Sequence, residues 1–324
     1  MAGDRQDMSA LIKIKTTMKK SSVLKNGYKE TRARFGALLY RISPVLFARY
    51  RFIVIKGGSL NLKNPKSFDE KLMWLMLYWQ HPLKSQCADK YAMRAYVRGH
   101  GLEHMLPELL GVYENSDEIN FDALPERFCL KCTHGCGFNI ICRNKNEMDV
   151  GEAKKNLDAW LKKDFSKVYG EIHYAPIKPR IVCEAYLGGR NGNLPDDYKV
   201  FCFHGKAYFT MVCTERKLNG YGAKYDYYDR EWEHKLPYGK SGTDTGRMLP
   251  IPEAYDEMIK AAEILSKPFP FVRMDFYCID GKAIIGEMTF TPAGCIDPGY
   301  TDAAQRSMGE LIKLPEKYVN VSNA

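Results

Sequence analysis

Apolar and polar residues alternate most regularly over PFVRMDFYCIDGKAIIGEMTFTPAG, residues 270–294. Phe271, Arg273, Asp275 and Tyr277 share one face of a strand, and Val272, Met274, Phe276 and Cys278 share the other, so an Arg and an Asp are presented side by side. A second strand carries Ile285, Glu287 and Thr289, and Asp280-Gly281 supplies the turn between them. The same reading predicts strands over Phe128 to Cys132 and Ile140 to Cys142, another over 180–189, and a pair over 197–216 around His204-Gly205-Lys206, the whole forming an antiparallel sheet system. Helices are predicted over 61–80, 86–101, 147–163 and 252–268. The first opens with Ser67 and Glu70 in capping-box spacing and then stripes Phe68, Leu72, Leu75, Met76 and Trp79 along one side. Residues 216–247, glycine-rich and weakly periodic, read as a long loop. The fold class is therefore α+β.

The register of the acidic hairpin decides its chemistry. A two-residue turn sets Ile279 opposite Lys282 and sends Asp275 and Glu287 to opposite faces. A three-residue turn with Gly281 as a bulge sets Cys278 opposite Lys282 and Arg273 opposite Glu287, so that both acids share a face as diagonal neighbours roughly 5–8 Å apart. Only the second arrangement lets them hold one hard cation. Magnesium fits that demand, since it takes carboxylate oxygens and leaves positions for phosphate. The alternative is a surface hairpin with a cross-strand Arg–Glu pair.

Composition narrows the class without naming the chemistry. The 324 residues suffice for a sizeable core. No run of 18 apolar residues occurs, and the chain does not open on an apolar stretch followed by a small-residue cleavage site, so neither spanning nor secretion is expected and the cytoplasm is. The ten cysteines are then expected to stay reduced. Charge is concentrated at one end: residues 1–56 carry a net charge of +10 against +9 for the whole chain, which leaves the remainder near neutral. The amphipathic stretch LLYRISPVLFARYRFIVIK, residues 38–56, suits an acidic polymer or the anionic inner face of a membrane, and equally a helix packed by its apolar stripe. No nucleic-acid module accompanies the charge, so nucleic acid is not an expected partner.

A second candidate site lies in RFCLKCTHGCGFNIICRNK, residues 127–145. Gly135 and Gly137, in the turn from His134 to Asn139, let backbone N–H groups close around phosphate oxygens, with Lys131 on the incoming strand beside them. The turn leads back into a strand rather than into a helix, and it lacks the dinucleotide-binding glycine pattern. Cys129, Cys132, Cys136 and Cys142 suggest zinc or iron–sulfur, but Cys129 and Cys132 point to opposite faces of the predicted strand and no second Cys-x-x-Cys pair exists. Asp89, Lys90 and Arg94 sit near one side of the second helix, within reach of an anion or simply solvated. Lys199 is either a phosphate ligand or a sheet-face lysine. Gly188-Gly189 suits a hinge.

Taken in order, NPKSFDEKLMWL, ADKYAMRAYV, LKCTHGCGFN, VCEAYLGG, DYKVFCFHGK and VRMDFYCIDGKAIIGEMTFTPAG resemble the ATP-grasp superfamily, and within it the TupA-like branch, over residues 61–313. The resemblance implies two α+β subdomains with mainly antiparallel sheets gripping ATP, and a helical N-terminal extension. The corresponding divisions are a basic arm over 1–56, a helical region over 57–126, a small subdomain with the glycine turn over 127–190, and a C-terminal subdomain with the metal hairpin over 191–324. It also implies residue roles. Lys90, Lys131 and the turn containing His134, Gly135, Gly137 and Asn139 would hold the triphosphate, and Glu184, Ala185 and Leu187 would border the adenine. Asp275 and Glu287 would bind magnesium, with Thr289 at the position where many superfamily members have Asn. Arg273 and Lys199 would be catalytic.

The activity so implied is ATP- and Mg²⁺-dependent joining of a carboxylate to an amine through an acyl phosphate. The branch suggests an amino acid, peptide or other small amine attached to a carboxylated glycan or its precursor in cell-surface polymer synthesis. Contact of the arm with the inner membrane face fits that setting. Two other readings stand beside it: phosphoryl transfer to a saccharide hydroxyl, and a nucleotide-binding scaffold without activity.

Overall fold

The computed structural model describes residues 35–188, 194–216 and 222–318. Residues 1–34 of the basic arm, Gly189 of the expected hinge, and 217–221 of the expected loop lie outside them. The chain forms two compact units, Met1–Ser59 and Leu60–Ala324.

In the first unit, helix α1 (35–42) and helix α2 (Pro44–Lys56) are separated at Ser43. The Ser43 hydroxyl accepts the Leu46 N–H and Pro44 occupies the first helical turn, a pairing that starts a new helix instead of continuing the old one. Gly57, left-handed at φ 80°, ends α2. Phe35 against Tyr50 and Tyr40 against Phe47 join the two helices edge to face.

The second unit contains helices α3 (Phe68–Tyr78), α4 (Pro82–Ala88), α5 (Ala92–Gly99), α6 (Val150–Leu161), α7 (Ser166–Tyr169), α8 (Tyr255–Ser266) and α9 (Asp302–Leu311). Its strands are β1 (Leu109–Tyr113), β2 (Phe128–Cys132), β3 (Asn139–Cys142), β4 (Ile181–Ala185), β5 (Asp197–Phe203), β6 (Lys206–Thr214), β7 (Lys224–Asp229), β8 (Phe271–Ile279) and β9 (Lys282–Thr289). They build two antiparallel sheets, ordered β1-β4-β2-β3 and β7-β6-β5-β8-β9.

The capping box at Ser67 and Glu70 is complete, with each side chain meeting the other residue's backbone. Three expectations need correction. The helix read over 86–101 is broken, because the Asp89 carboxylate accepts the N–H groups of Tyr91 and Ala92 and so caps α5 as a separate helix. Strand β1 falls within the region expected to be helical, and pairs with β4 from Leu109↔Glu184 to Tyr113↔Ile181. Strand β7 forms inside the expected loop, where the alternation of KYDYYD finds a partner only once β6 lies beside it.

The larger sheet has one face that is apolar over β5 and β8. Val200, Cys202, Val272, Met274 and Phe276 pack there under α8, which offers Met258, Ile259, Ala262 and Leu265. On its other face, β5 and β8 change character along their length. Phe203 pairs with Phe271 and Phe201 with Arg273, then come Lys199 with Asp275 and Asp197 with Tyr277. Phe68 from α3 covers the apolar end, 5.2 Å from Phe271 and 5.9 Å from Tyr300 between ring centroids. The charged end remains for function.

Gly309 in α9 tests this packing. A Cβ there would lie 2.2 Å from the Lys66 carbonyl oxygen and 3.1 Å from the Phe68 nitrogen. Helix propensity alone predicts that Gly309→Ala stabilises by about 1 kcal/mol. The backbone contact predicts destabilisation of about 1–3 kcal/mol instead, read as a lower denaturation midpoint at unchanged m-value.

Candidate active site

The hairpin reaches its working register by a route the alternation did not show. Its turn is the two-residue kind, Asp280 and Gly281 both left-handed at φ 49° and 74°, with Ile279 opposite Lys282. The expected three-residue turn is therefore absent. The ladder slips farther in: Phe276 faces Ile285 but Asp275 faces Glu287, so Gly286 is an extra residue on β9. Glycine suits the position because a Cβ would come 2.9 Å from the Tyr277 ring that passes over it. The bulge brings Glu287 back to the face of Asp275, directly opposite it, and pairs Arg273 with Thr289 rather than with Glu287.

Asp275 is the buried centre of this face. Arg273 Nε donates to its Oδ1 at 2.7 Å, and the same guanidinium donates through its Nη2 to Oδ2 at 2.7 Å and to Thr289 Oγ1 at 3.3 Å. Lys199 Nζ donates to Asp275 Oδ2 at 2.7 Å and to Asp197 Oδ2 at 2.6 Å. Burial would raise the Asp275 pKa, but the charges of Arg273 and Lys199 outweigh it and hold the carboxyl below its ordinary range. For Lys199 burial acts downward, and Asp197 and Asp275 turn the net shift upward. Both partners are thus locked in their charged forms. Glu287 is more open, with a quarter of its side chain exposed, and Lys90 Nζ stands 3.6 Å from its Oε1.

Lys90 connects this face to the glycine turn, since its ammonium also donates to the Gly135 carbonyl. In that turn Cys132 N–H donates to the Phe138 carbonyl at 2.9 Å, and Gly137 is left-handed at φ 74° with open space where a side chain would go. Gly135 is packed under Phe165 and Phe138, leaving no room for a Cβ. His134 is buried and its Nε2 meets the Trp160 carbonyl. Asn139 opens β3, exposed.

On the smaller sheet Glu184 is clamped between two cations, Lys131 Nζ at 2.7 Å from one oxygen and Arg94 at 3.3 Å from the other. Burial would lower the Lys131 pKa, but the Glu184 charge reverses the shift. Lys131, Asn139, Ala185 and Leu187 line a cleft with Arg216 and Tyr277 of the larger sheet across from them. Arg216 reaches Asp197 at 3.8 Å. The ion-paired chain Arg216–Asp197–Lys199–Asp275–Arg273 therefore leads from this cleft along the larger sheet, and Lys131–Glu184–Arg94 leads from it behind the smaller one. Asp197 was missed from the sequence because only pairing of β5 with β8 shows that it continues the row, and Arg216 because it lies past the end of β6 and meets Asp197 only in the fold. None of the ten cysteines is in a disulfide.

The donor set suits magnesium held jointly by protein and phosphate. Two carboxylates lie opposite each other on one face, Asp275 with its charge already offset by two cations and Glu287 open. Among the described residues no group of three or more His, Cys, Asp or Glu could form a cage made by protein alone. That is the pattern for Mg²⁺, which takes one or two carboxylates and completes its shell with phosphate oxygens and water. The same finding leaves no zinc or iron–sulfur site at the cysteines among the described residues.

Comparison with known proteins adds the family. The model of the TupA-like ATP-grasp family matches residues 70–313, about three quarters of the chain. No curated protein matches. Among solved structures, D-alanine–D-alanine ligase from Bacillus anthracis complexed with ATP is similar at 14% identity, over 76% of this chain and 68% of that one, with a TM-score of 0.44. The ATP-grasp ligase PsnB complexed with minimal precursor is similar at 15% identity, over 68% and 58%, TM-score 0.36. Phosphoribosylglycinamide synthetase from Anaerococcus prevotii is similar at 13%, over 68% and 48%, TM-score 0.36. The chain belongs to the TupA-like ATP-grasp family.

Proposed function

We propose that this ligase joins an amino acid, a peptide or another small amine to a carboxylated glycan, or to the precursor of one, in cell-surface polysaccharide synthesis. The observation that carries the chemistry is the row Lys199–Asp275–Glu287 with Arg273 beside it, joined to the glycine turn through Lys90. The glycan side of the reading rests on the family.

In this reading the adenine lies against the backbone of Ala185 and Leu187, near Glu184. Lys131, Lys90 and the turn of His134, Gly135, Gly137 and Asn139 hold the triphosphate. Asp275 and Glu287, with Thr289 in the adjacent row, would hold Mg²⁺, which neutralises phosphate charge when bound. Arg273 and Lys199 stabilise the charge on the phosphoryl group as it passes to the substrate carboxylate. None of these side chains reacts covalently: phosphoryl transfer asks the protein for position and fixed positive charge. The buried ion pairs supply both, because each cation is already oriented before substrate arrives.

For the arm, the reading is contact with an anionic membrane surface. Leu38, Ile42, Leu46 and Ile53 are exposed beside Arg41, Arg49 and Lys56, the combination that suits a lipid headgroup layer. Among the described residues no helix is long and apolar enough to cross a membrane.

Glu287→Gln removes an open carboxylate with little effect on folding. Calorimetry is expected to show Mg²⁺-dependent ATP affinity falling at least tenfold, and undiminished affinity would sink the metal assignment. Asp275→Asn should lose the same binding and, unlike Glu287→Gln, about 3–5 kcal/mol of stability, since Arg273 and Lys199 are left buried without their partner. Lys131→Ala is expected to weaken ATP binding about tenfold, the worth of one charge-assisted contact; equal affinity would make the glycine turn structural. With uronic acids and amino acids as probes, mass spectrometry should find an amide and free phosphate, whereas a phosphorylated sugar would replace ligation by hydroxyl phosphorylation. Sedimentation with vesicles containing anionic lipid should carry the protein down at low salt, and Leu38→Glu with Ile42→Glu should release it.

A further inference from the structure

The row of side chains on the active face does not stop at Lys199. It continues across the sheet to Met211 on β6 and Tyr227 on β7, and there the face opens into a pocket of about 330 Å³. Lys199 and Arg273 line it from β5 and β8. Tyr225 and Tyr227 line it from β7, with Tyr300 and Asp297 arriving from the segment after the hairpin. Strand spacing puts the backbones of Lys199 and Tyr227 about 10 Å apart, so the pocket has a cationic wall toward the acids and a tyrosine wall away from them.

Three features of the tyrosine wall leave a place for a ligand. Tyr227 and Tyr300 are 6% and 4% exposed, and the hydroxyls of Tyr225, Tyr227 and Tyr300, which have no hydrogen-bond partner among the described residues, stay open to the pocket. Asp297 has no salt-bridge partner among the described residues. Its one hydrogen bond is accepted from the Gly299 N–H, at 2.7 Å on Oδ1. Lastly, its charge acts on all three rings, pushing each phenol pKa up together with burial, the larger cause.

A carboxylate surrounded by aromatic rings is a receptor for a cation: the acid pairs with an ammonium, and ring faces attract it further. A neutral sugar would need the hydroxyls but not Asp297, and a second carboxylate would be repelled by it. We propose that this pocket is the amine site of the ligase, taking a small primary amine as its ammonium between Asp297 and the three tyrosines. It rests on the ligase reading, which puts the activated carboxyl at the Lys199 and Arg273 wall of the same pocket.

The test uses the full chain with Mg²⁺ and a non-hydrolysable ATP analogue, and titrates the twenty standard amino acids, ethanolamine and ammonium, each amino acid and ethanolamine also as its N-acetyl derivative. At least one free amine is expected to bind, with its N-acetyl form or its next smaller relative at least tenfold weaker. Asp297→Asn, which keeps the acceptor for Gly299, should weaken that amine at least tenfold while the nucleotide analogue binds within twofold of wild type. Tyr227→Leu should cost several-fold for the amine alone. Equal binding of the N-acetyl form, or unchanged amine affinity in Asp297→Asn, overturns the assignment, as does binding of the analogue with no amine of the panel. Failure of wild type to bind the analogue overturns the ligase reading itself, and this one with it.

Discussion

Asp275 keeps a negative charge where water scarcely reaches, and it does so because Arg273 and Lys199 meet both of its oxygens. Isolated, any one of these groups would be too costly to bury in ionised form; together they form a fixed charge pattern on a rigid sheet. Such a cluster contributes little net stability compared with apolar residues of the same size. What it contributes is orientation. Both cations stand in place beforehand, so no reorganisation is needed to present their charge.

The rest of the second unit is arranged to make that cluster tolerable. α8 seals the opposite face of the sheet with aliphatic side chains, and Phe68 with its aromatic neighbours seals the lower half of the working face. On this face only the pair Phe201–Arg273 separates Phe203–Phe271 from Lys199–Asp275. A face that turns from aromatic to charged over so short a distance keeps water out from below while staying open above. Lys90 then links the two sheets' contributions, touching the glycine turn and Glu287 with one ammonium.

Gly286 shows how one residue decides whether such a site exists. Without the bulge, the two-residue turn would turn Glu287 into the α8 side of the sheet, where an unpaired carboxylate would be expelled. With it, Asp275 and Glu287 become direct neighbours, and the row extends unbroken from Glu287 to Tyr227. The same row leads from the acid pair to the tyrosine pocket, so the two lie side by side on a single sheet.

The sequence by itself determined the elements with strong local signals. The Ser67–Glu70 capping box, the alternating strands β2, β5, β6, β8 and β9, and the glycine turn were legible because each depends on contacts within a few residues. The acid pair was legible as a pair, and the ordered motifs identified the family. Tertiary structure decided what depends on partners distant in the chain. β1 and β7 have weak patterns of their own and exist because β4 and β6 offer them hydrogen bonds. Asp89 broke a helix by capping, a choice that spacing alone leaves open. The register was fixed by a glycine whose bulge is set by the Tyr277 ring across the ladder, and Tyr225 and Tyr227 of the pocket meet Asp297 only after some 70 intervening residues have folded back. Local chemistry specifies the pieces; which of them share a face follows from pairing, and pairing is a property of the whole sheet.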